Sequence, residues 1–262
     1  MYDKSFDGVG TGGGCPTVLG EDDNFDEEPV PGVWGTKLAD GCDHHVQHCG
    51  DGITGSLHIT PSSDSGFWFK EDEAAFVHQR LCGNFGIVAH VSFQPQLSNP
   101  IPVTWQFNGV GLVATKTDPS EQTWAMLSFG YQAKGELGAQ RYLTVDGQQV
   151  GSNEVLGVTA VNTSAKIGIC REGVTPGTMH FFVEPQGEAL VEVPHSPGVD
   201  DGSFQSLADE CCLDVGMTAH FFSNMIPNPH GEPRGIIDWV EFGGAEIVDS
   251  VTCANFVANA GP

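Results

Sequence analysis

The chain is long, acidic and poor in basic residues. It has 262 residues, with 34 Asp and Glu against 10 Lys and Arg, and a net charge of -24 at pH 7. Such an excess of negative charge repels phosphate backbones and anionic membrane surfaces, so nucleic acid is excluded as a partner. No apolar run approaches the roughly 20 residues of a transmembrane helix. The acids either keep the protein soluble or bind Ca²⁺, which prefers carboxylate and carbonyl oxygens.

The N-terminal segment differs in composition from the rest. Residues 1–20 contain six glycines and no apolar periodicity, which predicts a flexible leader or linker. They also lack the apolar core of a signal peptide. An acidic cluster follows at residues 21–28. We expect residues 21–262 to form one domain, as β-sandwiches of about 200–250 residues often do.

Short segments of alternating polarity fill the chain after residue 50. In residues 85–93 the odd-numbered positions from Phe85 to Phe93 are all apolar, the period-two pattern of a strand with one buried face. Similar segments predict strands at 55–60, 85–93, 110–116, 124–131, 140–145, 166–171, 178–184, 188–193, 213–222 and 235–242. Turn signals such as Asp146-Gly147 and Gln186-Gly187 separate them. The only helical candidate is a short turn at 203–210. The pattern predicts an all-β protein: a two-sheet antiparallel β-sandwich.

Several segments in this order resemble a known family. FVHQRLCGNFGIVAHVSF (residues 76–93), KIGICREG (166–173) and IIDWVEFGG (236–244) are similar to strands of concanavalin A-like lectin/glucanase domains, especially a bacterial branch related to laminin-G-like modules. The likeness covers about residues 22–243. Gln186-Gly187 departs from it, because the family has Asp-Gly followed by Trp there. The resemblance implies a jelly roll whose concave sheet often holds carbohydrate and whose other side often holds a structural Ca²⁺. Fold alone does not fix function.

The eight cysteines predict disulfides and an oxidising, extracellular or cell-surface location. We expect Cys42 to pair with Cys49, and Cys15 with Cys253, since these last two lie outside the ends of the sandwich. Cys82, Cys170, Cys211 and Cys212 would then share two bonds, with the adjacent Cys211 and Cys212 reaching different partners.

The segment Cys42-Asp43-His44-His45-Val46-Gln47-His48-Cys49 has two interpretations. A Cys42–Cys49 disulfide would close a short loop that displays the histidines. Alternatively, His44 and His48 would meet on one helical turn and bind zinc together with reduced thiols. An oxidising compartment favours the disulfide.

Alternation also selects candidate ligand-binding residues. If Leu127 and Phe129 face the core, their neighbours in the strand face the opposite side. The same argument turns His90, Thr218 and His220 outward. Arg171 joins the set as a possible basic group, beside Arg80 and Arg141. Trp68, Trp105, Tyr131 and Trp239 are further aromatic platforms, although core packing is preferred for Trp239 and Trp34. The ligand-binding candidates are Trp124, Met126, Ser128, His90, His220 and Arg171.

The sequence favours a binding module over an enzyme. Retaining glucanases carry two carboxylates about 5–5.5 Å apart on one strand face, and no strand here has that spacing. A phosphate loop and a Gly-x-Ser-x-Gly elbow are also missing. We therefore predict an extracellular carbohydrate-binding or adhesion module. The alternative is a glycoside hydrolase or polysaccharide lyase on the same scaffold, and a purely structural surface domain is a third possibility.

A structural Ca²⁺ is predicted between the opening segment and the last strand. Asp238 stands in an otherwise apolar strand, where an unpaired carboxylate is costly to bury. In the family that this chain resembles, an Asp at this place acts as a Ca²⁺ ligand together with oxygens from the opening segment. The candidates are Asp23, Asp26 and Asp238, with Glu21 as a fourth. Alternatively, Asp238 bonds to backbone N–H groups or to solvent, and residues 21–28 are a hydrated loop.

Overall fold

The computed structural model describes most of the chain from residue 55 onward and short segments before it. The described residues are 20, 22, 34–37, 45–48, 55–60, 76–94, 108–118, 121–131, 137–150, 155–157, 164–173, 177–193, 207, 210–220, 234–244 and 246–261. The strands are β1 Gly35–Lys37, β2 His45–His48, β3 Leu57–Thr60, β4 Phe76–Cys82, β5 Phe85–Gln94, β6 Asn108–Lys116, β7 Trp124–Tyr131, β8 Leu137–Val145, β9 Gln148–Gln149, β10 Val155–Gly157, β11 Ser164–Glu172, β12 Thr178–Pro185, β13 Val191–Glu192, β14 Cys212–His220 and β15 Arg234–Gly243; the helix α1 is Ser250–Asn259.

The strands form two antiparallel sheets. Sheet A has the order β1-β4-β14-β6-β7-β8-β10, with β9 paired to β8, and sheet B has the order β13-β12-β11-β5-β15-β3-β2. Each predicted strand overlaps a strand of this arrangement, but the segment 188–193 contains only the strand Val191–Glu192, and β1, β2, β9 and β10 were not predicted. The Asp146-Gly147 and Gln186-Gly187 turns are confirmed, with φ values of 50°, 71° and 79° at Asp146, Gly147 and Gly187. The architecture is the predicted all-β, two-sheet antiparallel β-sandwich.

Alternating residues of both sheets build the core between them. The apolar positions of β5 from Phe85 to Phe93 are at most 1% exposed, as predicted, and pack with Leu127 and Phe129 of sheet A. Because side chains alternate across each strand, every strand also presents a second set of residues away from this core. We call these two surfaces the outer face of sheet A and the outer face of sheet B.

Helix α1 lies on the outer face of sheet B and corrects the prediction that 203–210 is the only helical segment. The sequence carried a start signal for it, since Asp249 caps the helix and forms a capping box with Thr252. Two glycines of sheet B make room for the helix. A Cβ on Gly86 would lie 2.6 Å from the Phe256 ring, and one on Gly168 would lie 2.6 Å from Val257.

The disulfides differ in part from the expectation. Cys170 pairs with Cys253, which ties α1 to sheet B, so the predicted Cys15–Cys253 pair is wrong. The reason is that the chain end folds back over β11 as a helix and does not run beside the first strand. Cys82 pairs with Cys212 across β4 and β14. Cys211 is also disulfide-bonded, so the two adjacent cysteines reach different partners, as predicted.

The remaining predictions about the first part of the chain lie mostly outside the described residues. This holds for the 1–20 leader and for Cys15, Cys42 and Cys49. The backbone from His45 to His48 is described as strand β2, which pairs with β3. The helical turn proposed to bring His44 and His48 together is therefore wrong, because residues 45–48 form an extended strand and not a helix.

Candidate functional site

The outer face of sheet A holds a cluster of polar and aromatic side chains from neighbouring strands. Ser128 of β7 lies opposite Gln140 of β8, and Thr218 and His220 come from β14. Ser128 Oγ is 2.6 Å from His220 Nε2, and the Tyr142 hydroxyl donates a hydrogen bond to Gln140 Oε1 at 2.7 Å. The backbone of β6 passes between β7 and β14. At Gly109 of β6 a Cβ would lie 2.5 Å from Ser128 Oγ, so the absence of a side chain there leaves room for the serine hydroxyl.

These side chains are withdrawn from water. Ser128, Thr218 and His220 are at most 1% exposed, and Gln140 is 2% exposed. Desolvation raises the pKa of Tyr142 well above its ordinary value, so its hydroxyl stays protonated and acts as a donor at neutral pH. Beside the polar cluster, a second hydrophobic cluster of this face comprises Phe76, Val113, Trp124, Met126 and Tyr142.

One end of the same face is accessible to solvent. Arg80 of β4 forms two hydrogen bonds with Asp214 of β14, Nε to Oδ1 at 2.9 Å and Nη2 to Oδ2 at 3.3 Å. The side chain of Arg80 is 58% exposed and that of Asp214 is 14% exposed. The hydrogen bond to Asp214 raises the pKa of Arg80. His78 is stacked on Phe76 with ring centroids 4.6 Å apart, and its Nδ1 is 3.9 Å from Asp214 Oδ1.

The structure brings four of the six predicted ligand residues to this face. Trp124, Met126, Ser128 and His220 point away from the core, as alternation predicted, but they are buried and not the exposed surface that we expected. The accessible groups here are His78, Arg80 and Asp214. Their signal in the sequence was the alternation of β4, where Val77 and Leu81 are buried and Arg80 is not.

His90 does not share this face. It stands on the outer face of sheet B, where its Nδ1 lies 2.6 Å from Asp238 Oδ2 and its ring stacks with Trp239 at 6.2 Å. The prediction that His90 lines one surface with Ser128 and His220 is therefore wrong. Alternation tells which side of a strand a residue occupies, but not to which sheet the strand belongs. Trp239 is partly exposed on this outer face, whereas we expected it in the core.

Arg171 is a structural cation and not a ligand group. It is fully buried, and its guanidinium donates to the backbone carbonyls of Gly83 and Cys211 and lies 4.9 Å above the Phe85 ring. Desolvation lowers the pKa of Arg171 to about 10, so it remains charged at neutral pH. Arg141 is likewise buried, above the Phe181 ring. Neither residue forms a basic cleft.

The predicted metal ligands can be placed only in part. Asp238 sits at a bulge of β15 between Ile237 and Trp239, and its partner is the His90 imidazole. From the sequence we proposed backbone N–H groups or solvent as the alternative partners of Asp238 and did not predict this histidine. A carboxylate with one imidazole does not match the oxygen shell of Ca²⁺. Within the described residues no group of three or more His, Cys, Asp or Glu is arranged to hold a metal. Glu21, Asp23 and Asp26 lie outside the described residues.

The opening segment does reach the last strand. Asp22 Oδ1 accepts a hydrogen bond from the Phe242 backbone N–H at 2.6 Å, and the Trp34 and Phe242 rings are 5.9 Å apart. The contact joins the acidic segment to β15, the strand that carries Asp238.

Comparison with solved structures defines the class of fold. No protein-family model matches the sequence, and no curated protein matches it. The chain has the fold of concanavalin A-like lectins and glucanases. It resembles basic winged bean lectin, solved with Tn-antigen, with a TM-score of 0.52 and 10% identity over 88% of this chain and 100% of that chain.

Two bacterial enzymes contain a similar sandwich. A xylan beta-1,4-xylosidase from Bacillus halodurans C-125 matches with a TM-score of 0.56 and 16% identity. A mutant of the GH43 protein BlXynB from Bacillus licheniformis matches with a TM-score of 0.57 and 14% identity. Each match covers 85% of this chain, but only 38% and 39% of the two enzymes. At these identities the likeness shows the fold alone.

The disulfides fit an oxidising environment. In the part of the chain that the structure describes, no helix has the length and apolarity required to cross a membrane.

Proposed function

We propose that the protein is an extracellular carbohydrate-binding module whose glycan site is the outer face of sheet A. The observation that carries this proposal is the accessible end of that face, where the partly exposed His78 ring, stacked on the buried Phe76 ring, adjoins the Arg80–Asp214 pair. Planar rings pack against the apolar faces of sugars, while fixed donors and acceptors select the hydroxyl orientation. The lectin solved with Tn-antigen and the xylosidase with the same fold support a carbohydrate ligand by analogy.

The buried cluster has a supporting role in this proposal. Ser128, Gln140, Tyr142 and His220 hydrogen-bond in two pairs beneath the face. Buried hydrogen bonds fix side chains and neighbouring strands in one arrangement. We infer that these hydrogen bonds hold β7, β8 and β14 in register, and thereby position Asp214, which lies on β14.

Binding is tested with purified protein on immobilised polysaccharides and on a glycan array, with Ca²⁺ present. We expect retention on at least one neutral glycan. Asp214→Asn should weaken it about tenfold or more, because hydrogen bonds to charged groups contribute roughly 1.5–3 kcal/mol. Val191→Ala, an exposed change on sheet B, is the matched control and should bind as wild type does. No retention on any glycan, or equal binding by Asp214→Asn, would reject the site.

Catalysis on the same face is the second candidate, and one contact favours it. His220 Nε2 lies 2.6 Å from Ser128 Oγ, with the Tyr142 ring edge-on at 6.2 Å, so an imidazole and a phenol, side chains that can act as base and acid, lie together beneath this face. This fits a lyase better than a retaining hydrolase, which needs two carboxylates. Among the described residues of this face Asp214 is the only carboxylate. Release of reducing ends or of unsaturated products from a polysaccharide panel, lost in His220→Gln, would establish catalysis.

A further inference from the structure

An open pocket lies on the outer face of sheet B, on the side of the sandwich opposite to the site proposed above. It is formed between helix α1 and the end of β15. It encloses about 270 Å³. Four of its lining residues come from one face of the helix and two from the strand end and the following loop. They are Thr252, Asn255, Phe256, Asn259, Glu241 and Glu246.

The spacing of the four helical residues places their side chains on the same side of α1. Positions 252, 255, 256 and 259 follow the i, i+3, i+4, i+7 spacing that places side chains along one stripe of a helix. The stripe is fixed in place by covalent and packing contacts. Cys253 is bonded to Cys170 of β11, and a Cβ on Gly86 or Gly243 would come within 2.6 or 3.0 Å of the Phe256 ring. The ring is therefore held against sheet B before any ligand arrives.

Three polar side chains of the pocket, those of Glu241, Glu246 and Asn259, have hydrogen-bonding capacity left, whereas the Thr252 hydroxyl is engaged in the helix cap. Glu241 uses Oε2 to accept from the Gly261 N–H at 3.0 Å, and Glu246 uses Oε1 to accept from the Gly244 N–H at 2.8 Å. Each carboxylate keeps its other oxygen for a ligand. The Asn259 amide donates to the Asn255 carbonyl at 2.8 Å, which leaves its own Oδ1 available.

We propose that this pocket binds one saccharide unit, and that it prefers a unit with an amino group over a neutral one and a neutral unit over a uronate. The aromatic ring would cover the apolar face of the sugar, and the carboxylates and amides would accept and donate to its hydroxyls. The preference follows from charge, because the lining residues include two carboxylates and no cation. The volume suits a single ring. The site is separate from the one proposed on sheet A and does not depend on it.

The test is a nuclear magnetic resonance titration of the ¹⁵N-labelled full chain with methyl glycosides of glucosamine, glucose and glucuronic acid. We expect saturable shifts at Thr252, Asn255, Phe256 and Asn259 with a Kd in the millimolar range for glucosamine, about what one small ring achieves. Glucose should bind several-fold more weakly, and glucuronate should not saturate.

Variants separate this site from a chance effect and from the site on sheet A. Glu246→Gln, a change at an exposed position, should remove the preference for glucosamine, and Phe256→Leu should weaken all binding about tenfold. Val251→Ala, 64% exposed on the same helix and outside the pocket, should behave as wild type. Asp214→Asn should leave the titration unchanged. The proposal is overturned if no shift saturates, if all three sugars shift the same residues equally, or if Glu246→Gln retains the preference.

Discussion

His90 and Asp238 form a short hydrogen bond across β5 and β15, with 2.6 Å between Nδ1 and Oδ2. The bulge between Ile237 and Trp239 turns Asp238 toward the histidine. Both side chains are partly exposed, 32% and 42%, so solvent screens the interaction. We expect His90→Gln and Asp238→Asn each to lower the free energy of unfolding by no more than about 1 kcal/mol.

A double-mutant cycle by urea denaturation isolates the coupling between these two residues. A coupling energy near zero would show that the contact between the two side chains adds nothing to stability.

Arg171 should contribute to the stability of the fold. Its guanidinium is buried and satisfies the carbonyls of Gly83 and Cys211. Replacing it with Met removes the guanidinium and leaves the Gly83 carbonyl without these donors, which costs about 1–3 kcal/mol for a buried group. The Cys211 carbonyl still accepts from the Gly83 N–H. We expect Arg171→Met to unfold several degrees earlier than wild type in calorimetry. If it instead lost glycan binding while keeping its melting temperature, Arg171 would be a ligand residue after all.

The alternating pattern of the strands made much of the fold predictable. It also predicts that Arg171 is buried, a consequence that we did not draw from the sequence. Ile167 and Ile169 are core residues of β11, so alternation places residue 171 on the same buried side. Its charge favoured the surface, but the Gly83 carbonyl of the β4–β5 turn and the carbonyls of Glu210 and Cys211 accept hydrogen bonds from the buried guanidinium.

The candidate site was less predictable than the strands. Ser128 and His220 were correctly turned away from the core, yet their contact depends on the pairing of β6 with both β7 and β14. That pairing joins segments about 90 residues apart and is decided by the whole sheet, not by local pattern. The His90–Asp238 contact was also not predictable from local pattern. The bulge in β15 breaks the alternation at Asp238, so the side of the strand on which its side chain lies does not follow from its neighbours.

The Cys170–Cys253 disulfide should determine whether α1 stays on sheet B. Helices of this length are marginal alone, so the helix depends on its packing and on this bond. Replacing both cysteines by Ala should lower the free energy of unfolding by about 2–5 kcal/mol. Hydrogen exchange should show faster exchange in residues 250–259 than in β5. Unchanged protection of the helix in the double variant would mean that the contacts with Gly86 and Gly168 suffice.

The N-terminus of α1 should respond to acid. The hydrogen bond from the Thr252 backbone N–H lowers the pKa of the Asp249 carboxyl, so the folded form binds a proton less readily than the unfolded chain. The stabilisation by the Asp249 carboxylate is complete when the pH is above the ordinary Asp pKa of about 3.9. It is lost as the pH falls through the lower pKa that Asp249 has in the folded protein. Exchange protection of α1 should fall in that window. Asp249→Asn keeps a cap without a charge and should remove this part of the pH dependence.

Calcium binding by the opening segment stays a prediction, and one contact makes it testable at a defined place. Asp22, within the acidic residues 21–28 of the sequence, accepts a hydrogen bond from Phe242 of β15, the strand that carries Asp238. A cation there would offset the repulsion within that segment and bind only the folded state.

Millimolar Ca²⁺ should therefore raise the melting temperature relative to EDTA, and Asp23→Ala combined with Asp26→Ala should abolish the difference. Asp238→Ala separates two roles for this carboxylate. Loss of the Ca²⁺ effect would make it a ligand, whereas a small loss of stability with the effect intact would assign it to His90 alone. Mg²⁺ at the same concentration controls for screening, because a specific Ca²⁺ site discriminates by cavity size and ligand number while screening does not. Superimposed melting curves in EDTA and Ca²⁺ would show that no such site exists, and the acidic segment would then serve solubility.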